Sequence, residues 1–231
     1  MPDVIYELPE QMKEILKDDA QYYWQLPVRR GQDEIANIFK AIDGRAWIAG
    51  SFAAYMCAAV STPIEPADID IFVSPAADYD AVVKDVCDVL VRPTLTDVND
   101  LVTTYGQRDG RPVQIVKGNP GWGIMPWHCL ASFDLDVCRA CLTSLDYVSC
   151  HVNAGDPYHG KILQINNPLK TLKRVVKYNA RGVQFEDSEL VKILKAWEAM
   201  TPERRKTIMD EIEAESATDF AYYDDEYYDA E

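Results

Sequence analysis

Two aspartates, Asp68 and Asp70, stand two residues apart in the segment DIDIFV, residues 68–73. On an extended strand, side chains at this spacing leave the same face, so both carboxylates can bind one hard divalent cation. Acids at this spacing also occur on solvent-exposed strand edges. The pair by itself leaves both interpretations open.

A glycine and a serine, Gly50 and Ser51, lie upstream of the aspartates, at the end of the apolar run 46–49. Glycine lets the backbone approach a ligand closely, and free N–H groups at a helix start favour a phosphate. The same residues also suit an ordinary strand-to-helix turn with serine as the N-cap. Combined with the two aspartates, the turn indicates a site in which a phosphate lies between the helix start and a bound metal.

The segments WIAGS (47–51) and DIDIF (68–72) resemble the hallmark of the nucleotidyltransferase superfamily typified by polymerase beta. In that family a hydrophobic strand ends in Gly-Ser or Gly-Gly, a helix follows, and an Asp-x-Asp strand comes next. The resemblance implies phosphate contact by Ser51 and binding of Mg²⁺, or Mn²⁺, by Asp68 and Asp70. It covers residues 44–74, and the 16 residues between Ser51 and Asp68 exceed the usual spacing.

The family also uses a third carboxylate from a later strand. In this chain the candidates are Asp134 and, in reserve, Asp136, both in SFDLDVC (132–138). If that segment is extended, the two side chains point the same way. Gln114 lies in the strand PVQIV, where some relatives carry an acid, and is not a preferred metal ligand. The phrase SFDLDVCRA, with the basic helix that follows, looks like uncharacterised nucleotidyltransferase-like proteins of phages and viruses.

The function implied by the resemblance is that of an enzyme. It would move a nucleoside monophosphate from an NTP to an acceptor hydroxyl and release pyrophosphate, using two metal ions and no covalent enzyme intermediate. The acceptor is left open between an RNA or tRNA end, a small molecule and a protein. The alternative is a non-catalytic binding or regulatory protein of the same fold, which is favoured if no third carboxylate joins Asp68 and Asp70.

The charge is unevenly distributed along the chain. Ten acids and no basic residue fall within 207–231, which accounts for ten of the formal net charge of −15. The stretch 157–185 contains no acid, and its basic residues are Lys161, Lys170, Lys173, Arg174, Lys177 and Arg181. We expect Lys170, Lys173, Arg174 and Lys177 to bind the nucleotide phosphates or guide an RNA backbone. The same four residues also suit a solvated helix face.

The elements that must position these residues form an α+β fold. We expect a mixed β-sheet nucleotidyltransferase-like core with flanking helices and a C-terminal helical segment. Residues 46–49 and 68–73 predict strands, and the Asp109-Gly110 pair predicts a hairpin between two more. Apolar spacing predicts helices over 32–43, 77–91, 167–181, 187–199 and 202–215. Residues 125–132 suit one helical turn.

The domain organisation follows from these elements. We expect a catalytic domain over 1–165, a helical segment over 166–215 and an acidic, tyrosine-rich, disordered tail over 216–231. The N-terminus lacks the pattern of a signal peptide and no apolar run reaches membrane-spanning length, which favours the cytoplasm and excludes a membrane partner. The oligomeric state is left open.

The six cysteines are too few for a disulfide scaffold and are expected to be thiols. Cys138 and Cys141, with Cys129, Cys150 and His151, offer enough ligands for zinc. They lie in apolar sequence without the usual glycine or proline knuckle, which favours small core residues instead.

Overall fold

A computed structural model describes residues 23–57, 66–108, 110–119, 129–142, 144–151 and 158–221. These parts contain six α-helices: α1 (Gln32–Ile42), α2 (Ser51–Cys57), α3 (Tyr79–Val89), α4 (Pro168–Asn179), α5 (Asp187–Glu198) and α6 (Pro202–Ala221). None of these helices has the length and apolar character needed to cross a membrane.

The described residues contain ten strands, eight of which form one sheet. The strands are β1 (Tyr23–Pro27), β2 (Ala46–Ala49), β3 (Ile69–Val73), β4 (Thr94–Val98), β5 (Val102–Gln107), β6 (Gly110–Val116), β7 (Ala140–Leu142), β8 (Tyr147–His151), β9 (His159–Gly160) and β10 (Gln184–Phe185). The sheet order is β1-β8-β7-β2-β3-β6-β5-β4, and β9 pairs separately with β10. Only β3 and β6 are parallel neighbours within the large sheet, so it is mixed, and the α+β prediction is confirmed.

One face of the sheet carries the main hydrophobic core. Helix α1 buries Ile35, Ile38 and Ile42, whose spacing places them on one side of the helix. Alternate residues of β3, Ile69 and Ile71, belong to the same cluster. This pattern explains why the helix and the strand were both predictable from apolar spacing.

The opposite face of the sheet carries one smaller cluster, and a second cluster adjoins it through Phe133. The first joins Trp47 and Ala49 of β2 to Leu130, with Phe72 of β3 packed against them. The second joins the segment after Phe133 to helices α4 and α5; its members are Leu135, Val137, Cys138, Ile162, Val175, Tyr178, Val183 and Ile193. Helix α4 is thereby attached on the side of the sheet where Asp70 points.

The segment 132–138 is not the strand that the sequence predicts. Leu135 forms an isolated bridge to Ile162, and Asp136–Cys138 is a 3₁₀ helix. The reason is a contact between residues far apart in the chain: the Lys161 N–H donates to Asp136 Oδ1 (2.7 Å), and the Asp136 N–H donates to the Lys161 carbonyl (3.1 Å). These two bonds turn the chain before β7 begins.

The predicted helices differ from the observed ones at their boundaries; α6, for example, continues to Ala221, past the expected end at residue 215. Strands β1, β4, β8, β9 and β10 were not predicted. Residues 222–231 lie outside the described residues, as do 125–128 of the expected helical turn.

Candidate functional site

Asp70 lies on β3, a central strand of the sheet that is flanked by β2 and β6. It is paired with Ala49 of β2 on one side and with Gln114 of β6 on the other. Paired residues of neighbouring strands point to the same face, so Asp70 shares its face with both. Asp68 lies just before β3 begins, in a bend.

Gly50 brings the backbone close to this carboxylate. Its φ of +88° is in the left-handed region that favours glycine, and a Cβ built there would lie 3.2 Å from Asp70 Oδ2. The Gly50 N–H donates to the carbonyl of Ala140 (2.8 Å), which fixes the turn against β7. Ser51 is the first residue of α2. The Gly50-Ser51 turn and the Asp-x-Asp segment therefore meet in space.

The electrostatics around Asp70 favour a bound cation. Its pKa is raised from 3.8 to about 7: burial and then the nearby charge of Asp68 raise it, and the charges of Lys177 and Arg174 partly offset them. Two carboxylates in each other's field, one of them poorly solvated, are stabilised by a divalent ion more than by a proton alone.

Asp134 is held in a buried cluster with two residues of α4. Its Oδ2 accepts a hydrogen bond from Thr171 Oγ1 (2.9 Å) and another from Arg174 Nη1 (2.9 Å), the second of which is an ion pair. Only 4% of Asp134 is exposed. Asp136 is fully buried and bonds to the Lys161 backbone as described above. The two acids thus bond to different partners, because the segment is not extended as a shared direction would require.

Helix α4 supplies the basic residues predicted for the site. Arg174 and Lys177 both act electrostatically on Asp70, and each is exposed. Lys170 is half-buried in the first turn and Lys173 is exposed. The structure thus brings Arg174 and Lys177 to the aspartates, with Lys170 and Lys173 on the same helix.

No third metal-ligating side chain joins the aspartates in the parts of the chain that the structure describes. Among those residues, no group of three or more His, Cys, Asp or Glu side chains is placed to hold a metal ion. Burial raises the pKa of the Cys138 and Cys141 thiols to about 12 and that of Cys129 well above its usual value. Protonated, buried thiols are poor zinc ligands. The other two candidate zinc ligands are Cys150 and His151, and their side chains are outside what the structure describes.

Several residues of the site were not predicted from the sequence. Thr171 and Phe133 carry no motif, and their role comes from contacts made across the fold: Phe133 packs on Phe72, with ring centroids 5.4 Å apart. Arg139, 1% exposed, donates from Nη2 to the Phe133 carbonyl (3.0 Å) and the Ala131 carbonyl (3.3 Å). A lone arginine in an otherwise apolar run was the one available signal.

Comparison with known proteins gives a structural likeness without a sequence match. No family model matches the chain, and no curated protein sequence matches it significantly. A CCA-adding enzyme in complex with CTP is similar in structure, with a TM-score of 0.53 and 11% identity. The Thermotoga maritima CCA-adding enzyme complexed with tRNA gives a TM-score of 0.52, and a CCA-adding enzyme with ATP gives 0.51, again at 11% identity.

In each of these comparisons the match covers 87% of this chain and 50% of the other. The chain therefore spans about half the length of the solved enzymes that it matches. At this low identity the likeness concerns the fold: the chain has a mixed-sheet α+β fold similar to part of these CCA-adding enzymes.

Proposed function

We propose that this chain is a metal-dependent nucleotidyltransferase, which moves a nucleoside monophosphate from an NTP to an acceptor hydroxyl and releases pyrophosphate. The observation that carries the proposal is the position of Asp70 against the Gly50 turn, with Asp68 two residues away and the charges of Arg174 and Lys177 acting on the Asp70 carboxyl. The shared fold with CCA-adding enzymes solved with CTP and ATP supports a nucleoside triphosphate as substrate.

The donor set fits a hard divalent cation, Mg²⁺ or Mn²⁺. Asp68 and Asp70 would hold it, because carboxylate oxygens are the ligands that such ions prefer. When bound, the metal polarises the phosphate and lowers the pKa of the attacking hydroxyl. A metal role for Asp134, or for Asp136 in its place, stays a prediction from the family resemblance.

The remaining residues bind and orient the triphosphate. Lys170, Lys173, Arg174 and Lys177 would neutralise its negative charge, since α4 lies on the side of the sheet where Asp70 points. At Gly50, the absence of a side chain leaves room for a ligand beside the carboxylate, and Ser51 would contact phosphate. No residue is required to form a covalent intermediate.

The acceptor is proposed to be a hydroxyl of an RNA or tRNA end, a small molecule or a protein. One similar enzyme was solved with tRNA, and the basic stretch 157–185 offers charge for a nucleic-acid backbone. We further propose a catalytic unit over 1–165, closed on one side by the helical segment 166–215 and followed by the acidic stretch 216–231, in a cytoplasmic protein.

A non-catalytic nucleotide-binding or regulatory protein of the same fold is the second candidate. It is favoured by the engagement of Asp134 with Arg174 and Thr171, which takes up a carboxylate that could otherwise join the metal site. Such a protein would bind NTP and metal without releasing pyrophosphate.

Label transfer from an NTP separates the two candidates. Wild-type protein is incubated with each α-labelled NTP, Mg²⁺ or Mn²⁺, and a pool of RNA and small-molecule acceptors. We expect the Asp68→Asn/Asp70→Asn variant to lose at least ~100-fold of the transfer rate. Asp88→Asn, at an exposed ion pair on α3, is the matched control and should keep the wild-type rate. Equal transfer by the double variant would remove both aspartates from the mechanism.

A further inference from the structure

We propose that Asp134 acts as a positioning residue: together with Thr171, it holds Arg174 in place to contact the phosphates of the nucleoside triphosphate. This inference rests on the proposed function and assigns Asp134 a role other than that of third metal ligand. It also adds Thr171, which no motif marks, to the residues that govern nucleotide binding.

The contacts at Asp134 are those of a support for Arg174. Both donors converge on the same oxygen, Oδ2, at 2.9 Å each. Thr171 is 1% exposed, so its bond is sheltered from water. In contrast, 54% of the Arg174 side chain is exposed, against 6% for that of Asp134. The carboxylate is therefore buried, while about half of the Arg174 side chain is accessible to a ligand.

The helix itself aligns the two donors. Thr171 and Arg174 are three residues apart in α4, so they lie on the same side of the helix. The first turn is fixed by Asn167, whose Oδ1 accepts hydrogen bonds from the N–H groups of Leu169 (3.2 Å) and Lys170 (3.1 Å). A buried acid, a sheltered hydroxyl and a capped helix together limit the freedom of one arginine side chain.

The position of Arg174 relative to Asp70 indicates what the arginine is held for. Its charge acts on the Asp70 carboxylate, while one of its nitrogens is bonded to Asp134. A guanidinium has five N–H donors, so the bond to Asp134 leaves donors for a phosphate. Its planar fork matches phosphate oxygens, and restricting its rotamers before binding reduces the entropy lost on binding.

The test compares nucleotide affinity with metal affinity. Binding of a non-hydrolysable NTP analogue and KM for NTP are measured for Arg174→Gln, Asp134→Asn and the double variant; Mn²⁺ affinity without nucleotide is measured by electron paramagnetic resonance. We expect each single variant to weaken NTP binding about tenfold, as for loss of a charge-assisted contact. The double variant should bind NTP about as weakly as either single variant. Mn²⁺ affinity should stay unchanged in all three and fall in Asp70→Asn.

Two further variants keep the test valid if Asp134→Asn folds poorly. Thr171→Val keeps the shape of the side chain and removes the hydroxyl, and it should raise KM without changing Mn²⁺ affinity. Thr171→Ser keeps the hydroxyl and should restore the wild-type KM. Lys206→Gln, an exposed residue on α6, is the control for the loss of one surface charge.

Each other outcome overturns the inference. If Asp134→Asn loses Mn²⁺ affinity as Asp70→Asn does, then Asp134 is a metal ligand. If Arg174→Gln binds NTP weakly but Asp134→Asn and Thr171→Val bind normally, the arginine is not positioned by them. If wild type binds NTP and all variants match it, this inference fails alone. If wild type binds no NTP analogue, the proposed function fails and takes this inference with it.

Discussion

The carboxylate of Asp70 lies against the backbone of Gly50, so close that a single added carbon on the glycine would stand 3.2 Å from Asp70 Oδ2. The pairing of β2 with β3, in which Ala49 is opposite Asp70, creates this contact. The glycine turn after β2 and the aspartate of β3 are therefore parts of one site.

Gly50→Ala should damage metal binding as well as stability. A φ of +88° costs an L-residue roughly 1–2 kcal/mol, and the new methyl group would push on the Asp70 carboxylate. We expect a lower free energy of unfolding in urea and a lower Mn²⁺ affinity measured by electron paramagnetic resonance.

Gly44→Ala provides the matched control for that variant. Gly44 also has a positive φ, +71°, but a Cβ there would meet nothing within 4 Å. Gly44→Ala should lose about as much stability as Gly50→Ala and keep the wild-type Mn²⁺ affinity. If both alanine variants bind Mn²⁺ like wild type, the approach of Gly50 to Asp70 does not matter for the metal.

Asp70→Asn should change how stability depends on pH in the absence of metal. The folded pKa of about 7 is above the unfolded value of 3.8, so between these values the folded state binds more protons. Stability supplied by the protonated carboxyl is therefore present at low pH and is lost as the pH rises through 7. Removing the carboxyl should abolish this loss, on the order of 4 kcal/mol, in urea unfolding followed from pH 4 to pH 8.

The comparison is the difference between wild type and variant, since other groups titrate in both. Asp88→Asn, on the exposed face of α3, should follow the wild-type curve. If the stability of Asp70→Asn declines with rising pH as that of wild type does, this carboxyl is not held in its protonated form. Added Mg²⁺ should stabilise wild type at pH 8 and leave Asp70→Asn unaffected, because a ligand that binds only the folded state raises its stability.

Elements with strong local signals were predictable from the sequence. Helices α1 and α5 were predicted to within a residue, and the hairpin of β5 and β6 follows from its turn residues. Strand β4 gave no such signal. All five of its residues are exposed, so buried and exposed residues do not alternate along it. Its place in the sheet depends on pairing with β5, which local sequence does not encode.

The candidate site was predictable in part for the same reason. Gly50, Asp68 and Asp70 belong to a contiguous strand-turn-helix-strand unit, whose pattern is local. The environment of Asp134 depends on Thr171, which is 37 residues away in the chain. A 3₁₀ helix, bonded to Lys161, then replaces the expected strand and changes which way the acids point, and neither Thr171 nor Lys161 is close to them in the chain.

Asn167→Ala should weaken nucleotide binding from a distance. Loss of the cap costs about 1 kcal/mol of stability and loosens the first turns of α4, on which Thr171 and Arg174 depend. We expect a lower melting temperature and a higher KM for NTP, with kcat at saturation close to that of wild type.

The same kind of cap at α3 is the control. Asp78 Oδ1 accepts hydrogen bonds from the N–H groups of Asp80 (3.1 Å) and Ala81 (3.2 Å), and α3 carries none of the proposed nucleotide ligands. Asp78→Ala should lose comparable stability and keep the wild-type KM. An equal rise of KM in both variants would mean that the effect comes from general destabilisation and not from α4.

The fate of each phosphate of the NTP tests the central claim most directly. Parallel reactions with α-labelled and γ-labelled NTP, Mg²⁺ and acceptor are followed by separating acceptor, pyrophosphate and inorganic phosphate. We expect the α label to join the acceptor and the γ label to leave as pyrophosphate, and we expect Asp68→Asn/Asp70→Asn to abolish both. Retention of both labels in intact NTP, or release of the γ label as inorganic phosphate, would contradict it.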